Sequence, residues 1–246
     1  MNSLRPLLKR QITLIVILAL ILVWIVAAYE LYRSRQTYLH EAEVRTAVQA
    51  HVFAEYSRST LKRINEFILN IRTDWTGDWK EFSTLVRRRQ ENIDDLTFQV
   101  AIIDRDGILA YSNLAKPNDR IDLSQREHFR VHKEANNADL LFISRPVMGK
   151  VSQKWSIQIT RPIFDQGVFN GVLEVSLSPE QLAGFAKKLR IADSSSLTVV
   201  RSSGEIMARY PIESSLGKVI TETPYLDPAA PDFGNYRREA MVDGKE

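Results

Sequence analysis

The chain has 246 residues, 33 Lys and Arg against 30 Asp and Glu, a formal charge of +3, and no cysteine. The missing cysteines exclude a disulfide framework, so the fold must rest on a hydrophobic core. Arg5, Lys9 and Arg10 precede the first acidic residue, and without them the charges balance, which speaks against a nucleic-acid-binding surface.

From Ile12 to Tyr29 there is no charge, Gly or Pro. At 1.5 Å per residue this run spans about 27 Å, close to the hydrocarbon thickness of a bilayer, and Trp24 and Tyr29 sit where an aromatic belt falls. The run predicts a transmembrane helix. The cations before it predict a cytoplasmic N-terminus, with the remainder exported to the periplasm or cell exterior from a bacterial inner membrane. Cleavage as a signal peptide near Val26, Ala27 and Ala28 is the alternative, and it exports the same domain.

Between Leu7 and Thr76 there is neither Gly nor Pro, so the membrane helix is expected to continue as a stalk. Val48, Val52 and Tyr56, then Ile64, Phe67, Ile68, Ile71 and Trp75, recur at helical spacing. The far end is amphipathic enough to pack on a domain, and the near end suits pairing with a second copy. Thr76, Gly77 and Asp78 break the helix. Asp78 with Glu81 predicts a capped second helix with Phe82, Leu85, Val86 and Ile93 on its apolar side.

The period then changes to two. Phe98 to Asn113 reads as a hairpin turning at Asp104 to Gly107, and Trp155 to Leu177 as a second turning at Asp165, Gln166 and Gly167. Ser178 and Pro179 open a helix to about Arg190. Leu197 to Pro211 repeats the first hairpin when Gly204 is set on Gly107, which suggests two tandem α/β lobes, although two unrelated hairpins can match in this way. Tyr236 to Val242 reads as a strand and Asp243 with Gly244 as a turn, so the second lobe is expected to be incomplete and the chain to be the front of a longer protein. The expected fold class is α+β: a basic tail (1–11), a transmembrane helix (12–29), a stalk helix (30–75), and two PAS-like lobes (76–190 and 191–246).

A membrane helix, a stalk, a short helix and tandem lobes together resemble the double Cache sensor domains of bacterial receptors. The most specific stretch is DLSQREHFRVHKEANNADLLFISRPVMGKVSQKWSIQITRPIFDQGVFNGVLEVSLSPEQL, Asp122 to Leu182. It looks most like the Cache domains of membrane-bound diguanylate cyclases and related cyclic-di-GMP enzymes. The resemblance implies a dimeric receptor that binds a small solute in its membrane-distal lobe and regulates a cytoplasmic output. That output is a cyclase or phosphodiesterase by this likeness, with a histidine kinase or chemoreceptor as the nearest alternative.

Arg126 heads the candidate site, because its planar fork of donors matches a carboxylate. In the amino-acid-binding branch of this family, an Arg is followed two and three residues later by Trp and an aromatic, with Tyr and Asp positions further on. Arg126 and Phe129 fit; His128 replaces the Trp, Val147 and Gly149 fall at later Tyr and Asp places, and Ser176 falls at the last Asp. These departures speak against a free amino acid and leave a carboxylate or other small anion, or a surface ion pair for Arg126. Ser144, Gln158 and Thr160 are expected to complete the site, and Trp155 to contact ligand or fill the core. Arg161 before Pro162 reads as structural.

His128 and His132 share a helix face at a zinc-compatible spacing, but Phe129 stands where HExxH needs its acid, so no metal is expected; direct pH sensing by these histidines is a further alternative. No GxSxG elbow, phosphate loop, GxGxxG, GGDEF or EAL signature is present. The chain is therefore expected to be non-catalytic and without a cofactor, its rival readings being a periplasmic protein-interaction module and a membrane-tethered hydrolase.

Overall fold

The structure, a computed structural model, describes residues 4–116, 119–191, 195–211, 215–221 and 223–236. The strand expected at Tyr236 to Val242 and the turn at Asp243 and Gly244 lie almost wholly outside these residues. The chain forms two compact units, residues 1–48 and 49–246. Both share α1, Leu4–Arg72, a helix of 69 residues. In the first unit the apolar run has a mean hydropathy of 2.9, and none of it is buried against protein. A helix that is apolar all round and covered by nothing is long and apolar enough to cross a membrane.

In the second unit α1 becomes amphipathic. Ile64, Phe67, Ile68 and Ile71 form a stripe of i, i+3, i+4 and i+7 and are all buried. Arg72 ends the helix, so the predicted stalk stops three residues early and Trp75 packs from the turn that follows. Asp78 caps α2, Trp79–Arg89, its carboxylate accepting from the amides of Lys80 and Glu81. Phe82 and Val86 bury the inner face of α2, and a 3-10 turn over Gln90–Ile93 buries Ile93.

The main sheet contains β1 (Gln99–Asp104), β2 (Leu109–Ser112), β3 (Phe142–Ile143), β5 (Trp155–Asp165) and β6 (Val168–Leu177), in the antiparallel order β2-β1-β6-β5-β3. β4, Val147–Met148, pairs with β5 beyond β3. The period-two pattern separates two faces. Val100, Ile102, Ile157, Ile159, Ile163, Leu173, Val175 and Leu177 pack with the α1 stripe and α2 in one core. At roughly 1.5–3 kcal/mol for each large apolar side chain, the four stripe residues of α1 contribute about 6–12 kcal/mol as an upper bound.

The opposite face carries Gln99, Ser176 and Gln158 in one cross-strand row, then Ala101, Glu174 and Thr160 in the next. Beyond them Ala101, Ile103 and Val172 join Leu109, Leu123 and Phe129 in a smaller apolar cluster. Phe129 comes from α3, Glu127–Lys133, which lies on this face.

After β6, Ser178 caps α4, Pro179–Lys188, with Pro179 at its first position. The hairpin β7 (Leu197–Val200) and β8 (Ile206–Tyr210) follows. Tyr56 of α1 stacks on Phe185 of α4 at 3.9 Å between centroids. The hairpin repeat extends into the backbone beyond the turn. Gly107 accepts from Leu123 N as Gly204 accepts from Ile220 N, at 2.8 and 2.9 Å, and both glycines have positive φ.

Around the sheet edge, Asp139 takes both ends of the Arg72 guanidinium at 2.7 and 2.8 Å, and Arg161 Nη1 at 2.8 Å. Arg161 also donates Nε to Asn65 of α1 at 2.7 Å, so it is structural, as the sequence suggested. The Arg72 hydrogen bonds, helped by Arg161, hold the Asp139 carboxyl down to about 2. A depressed carboxyl contributes stability above its unfolded value of 3.8 that is lost as pH falls through about 2. With the Asp139 side chain 43% exposed, solvent screening reduces the expected contribution to about 1 kcal/mol. Asp139→Asn is therefore expected to lower the melting temperature of the full chain by about 2–4 °C at pH 7. Urea titrations should show that difference shrinking as the pH is taken from 4 towards 2.

Candidate functional site

α3 is short because its N-terminus is set by the turn at Asp122 to Gln125 and its C-terminus by Asn136 and Asn137, both at positive φ. Its i and i+4 histidines stand over the two neighbouring polar residues of the second cross-strand row. His132 Nε2 is 2.8 Å from Thr160 Oγ1, and His128 Nε2 is 3.2 Å from Glu174 Oε2. His128 and Glu174 are 3% and 4% exposed. Although close, the His128–Glu174 atoms are not aligned for a hydrogen bond, and each lacks any other hydrogen-bonding partner. The two atoms are near each other without a hydrogen bond, and both remain open to a third group.

The remaining polar side chains of this face are largely satisfied by each other. Ser176 Oγ donates to Gln158 Oε1 at 2.6 Å and lies 3.3 Å from Glu174 Oε1. Gln158 Nε2 donates to Ser156 Oγ at 2.9 Å, and Gln99 Nε2 to Ser112 Oγ at 3.0 Å. Ser176 has one hydroxyl hydrogen, and the shorter bond directs it to Gln158. Glu174 is thus a buried carboxylate with fewer donors than its oxygens accept, a costly state unless something else supplies them.

Between this face, α3 and the β4–β5 turn lies a cavity of about 20 Å³ lined by Gln99, Arg126, His128, Gln158 and Glu174, with Lys150 among its turn residues. That volume admits about one water, so a larger solute requires the walls to move. One wall is the turn that begins at Met148, with Gly149, Lys150 and Val151. It is held by Arg126 Nη2 donating to Met148 O at 3.2 Å and Lys150 Nζ donating to Asp122 O at 2.6 Å. Two larger surface hollows, of about 670 and 520 Å³, lie along α2 and the end of α1. They are not the candidate, since the donor-poor buried carboxylate is in the small cavity.

Of the residues singled out in the sequence, Arg126, His128 and Gln158 line the cavity. Thr160 binds His132 beside it, and Ser144 Oγ accepts from Gln158 N at 2.9 Å, so both stand behind the lining. Two placements differ from expectation. Phe129 is fully buried in the smaller apolar cluster, because its position on α3 turns it away from the cavity and towards Phe169, 5.9 Å between centroids. Trp155 is 41% exposed at the first position of β5, beyond the reach of either helix, and neither fills the core nor lines the cavity.

Val147 and Gly149, at the family's Tyr and Asp places, line the cavity without offering a polar side chain. The residue missed is Glu174, two before Ser176 and on the same face of β6. Its signal was an acid set between Leu173 and Val175. Among the described residues no group of three His, Cys, Asp or Glu is placed to hold a metal.

No protein-family model and no curated protein matches the chain. Solved structures do. The extracellular domain of rpHK1S-Z16, a protein assigned as a histidine kinase, aligns over 82% of this chain and 83% of its own, with 23% identity and a TM-score of 0.64. The chain shares the fold of that extracellular domain. The ligand-binding domain of the Pseudomonas aeruginosa amino-acid chemoreceptor PctB, in complex with L-Gln, aligns over 70% and 69% with 15% identity and a TM-score of 0.56. That of the Pseudomonas fluorescens chemoreceptor CtaA, in complex with L-alanine, covers 69% and 72% with 15% identity and a TM-score of 0.55. At these identities the likeness is one of fold, the α+β class expected from the sequence.

Burial holds His132 down to about 4, with His128 and Arg161 pushing the same way and Asp139 opposing. Because the folded value lies below the ordinary 6.5, the unfolded chain takes up a proton first, and stability falls as pH drops from about 6.5 to 4. The loss attributable to His132 is about 3 kcal/mol across that window. His132→Gln is expected to flatten the decline when denaturation is compared at pH 7, 5.5 and 4. An equally steep decline in the variant would assign the loss elsewhere.

Proposed function

We propose that this chain is the extracytoplasmic sensor of a membrane-bound receptor, anchored by residues 12–29 with its N-terminus in the cytoplasm. In this reading 76–190 is the membrane-distal lobe, 191–246 begins the proximal one, and the near end of the stalk pairs two copies. The distal cavity takes a small polar solute. The observation that carries this is Glu174, buried and short of donors in the same cavity as Arg126.

A carboxylate short of donors suits a ligand's ammonium or amide group, and Arg126 suits its anionic group. His128 and Gln158 complete the wall, while Ser144 and Thr160 hold it in place. Glu174 supplies the acid that the family comparison had placed at Ser176, which changes the expected ligand from a simple anion to a zwitterion. The complexes of PctB with L-Gln and of CtaA with L-alanine support that class.

Binding is transmitted to a cytoplasmic output. The resemblance of Asp122 to Leu182 to cyclase-linked Cache domains favours cyclic-di-GMP synthesis or hydrolysis. The likeness to the rpHK1S-Z16 domain favours a histidine kinase as the second reading.

The test is a melting screen of the full chain in detergent against amino acids, organic acids, amines and nucleobases. A ligand at 100 times its Kd is expected to add about 2.7 kcal/mol, a shift of several degrees. Arg126→Ala and Glu174→Gln should each abolish that shift. A screen without hits, together with a protein that co-purifies, would replace the solute cavity with a protein-interaction module.

A further inference from the structure

α3 touches more than the cavity. Arg126 and His128 line the cavity, while Glu127 between them turns outward to the β7–β8 hairpin, its Oε1 3.6 Å from Nη1 of Arg201. Arg201 follows β7 directly and is fixed by its backbone, its amide donating to Glu205 O at 2.9 Å and its carbonyl accepting from Gly204 N at 2.8 Å. Its side chain is 24% exposed, and the guanidinium lies 5.4 Å from the centre of the Phe142 ring on β3. A cation held over a ring and partly desolvated gains more than a freely exposed one.

The same Nη1 is 3.8 Å from Oε1 of Glu205, in its own turn. One guanidinium therefore stands between two carboxylates at nearly equal distances, one on α3 and one on its own hairpin. Both distances are those of ion pairs without close hydrogen bonds, so neither partner locks it. Arg145 Nε, 3.9 Å from Glu127 Oε2, is a second cation able to satisfy Glu127 if Arg201 leaves. The Ser203 hydroxyl, with Arg201 and Arg145 among the further causes, holds the Glu205 carboxyl below its ordinary value, so Glu205 stays a charged acceptor.

We propose that Arg201 is a latch between α3 and the β7–β8 hairpin: it holds Glu127 while the cavity is closed and passes to Glu205 when α3 moves. The trigger rests on the cavity being a ligand site, since a solute larger than a water must displace α3 or the β4–β5 turn. Glu127 and Glu205 are both within reach of one guanidinium, which gives the element its two alternative partners.

The absence of cysteine makes the measurement clean. Arg130→Cys and Ser202→Cys, both at exposed positions, carry nitroxide labels on the full chain in nanodiscs, and pulsed EPR reads the α3 to hairpin distance without ligand. The parent is expected to give a single narrow distribution, and Glu127→Gln one about twice as broad, with a second, longer population. Glu205→Gln should keep the single parent distance. Exchanging the charges, Glu127→Arg with Arg201→Glu, should restore the single distance, which a general loss of folding would not allow. A Glu127→Gln distribution identical to the parent, or a charge exchange that fails to restore it, overturns the latch. The distances are read in ligand-free protein, so a failed ligand screen counts against the cavity reading alone, and an unchanged distribution counts against the latch alone.

Discussion

The main sheet is buried on both faces, one of them apolar and the other carrying a block of polar side chains beside a smaller apolar cluster. An antiparallel sheet with an alternating pattern normally turns its polar face to water. Here the α1 stripe and α2 cover the apolar face, while α3, the β4–β5 turn and the smaller apolar cluster cover the other. Gln99, Gln158, Thr160, Glu174 and Ser176 are consequently buried, each less than 5% exposed. Every buried polar group costs free energy unless it finds a partner, so α3 and the loops around it are fixed by the needs of this face. Most of those needs are met inside the sheet, by Ser176 to Gln158 and Gln99 to Ser112. Among the atoms left without partners are His128 Nε2, Glu174 Oε2 and His132 Nδ1, and the cavity lies at the first two.

This arrangement also links the two sides of the sheet. Asp139, in the segment that follows α3, is bound to Arg72 at the end of α1 and to Arg161 on β5. Asn137, in the same segment, accepts from Phe169 N at 3.0 Å. The helix over the cavity and the end of the long helix are thus joined around the edge at β3 by charged side chains rather than through the packed core. A close-packed core resists small displacements, whereas side chains at an edge can exchange partners.

Much of this was legible in the sequence because it is local. Asp78 and Ser178 cap helices through their own backbones, and the turns at Gly107, Gly167 and Gly204 need only glycine's access to positive φ. The stripe at Ile64, Phe67, Ile68 and Ile71 announces its burial by spacing alone. Arg126, His128 and Gln158, singled out by the chemistry of their side chains, line the cavity. Glu174 was not, because an acid in an alternating strand reads as solvent-facing until α3 is seen to cover it. Trp155 misled for the converse reason: its size suggests burial, but the first residue of β5 lies past the elements that could cover it. β3 and β4 have two residues each, too few for any periodicity, and exist because β5 offers an edge.

The repeated hairpin shows how far local likeness extends. The pairing Ile108 with Asp122 recurs as Glu205 with Val219, and both hairpins carry a bulge at the equivalent place, between Ile102 and Ile103 and between Val199 and Val200. At both glycines a Cβ would lie within about 2.5 Å of the returning segment, Ser124 in one case and Ile220 in the other. The two hairpins thus share both the turn and the segment that folds back onto it. Their surroundings differ. β1 pairs with β6 and is almost wholly buried, whereas β7 is half-buried along its length. The first copy is a central strand of a closed core. The second presents its turn outward, which leaves Arg201 free to meet Glu127, while the matching Asp104 turns its carboxylate inward to the amides of Asp106 and Ile108. The turns differ at all three positions before the glycine, and Asp104 against Arg201 is the difference that makes the first turn self-contained and the second able to reach α3.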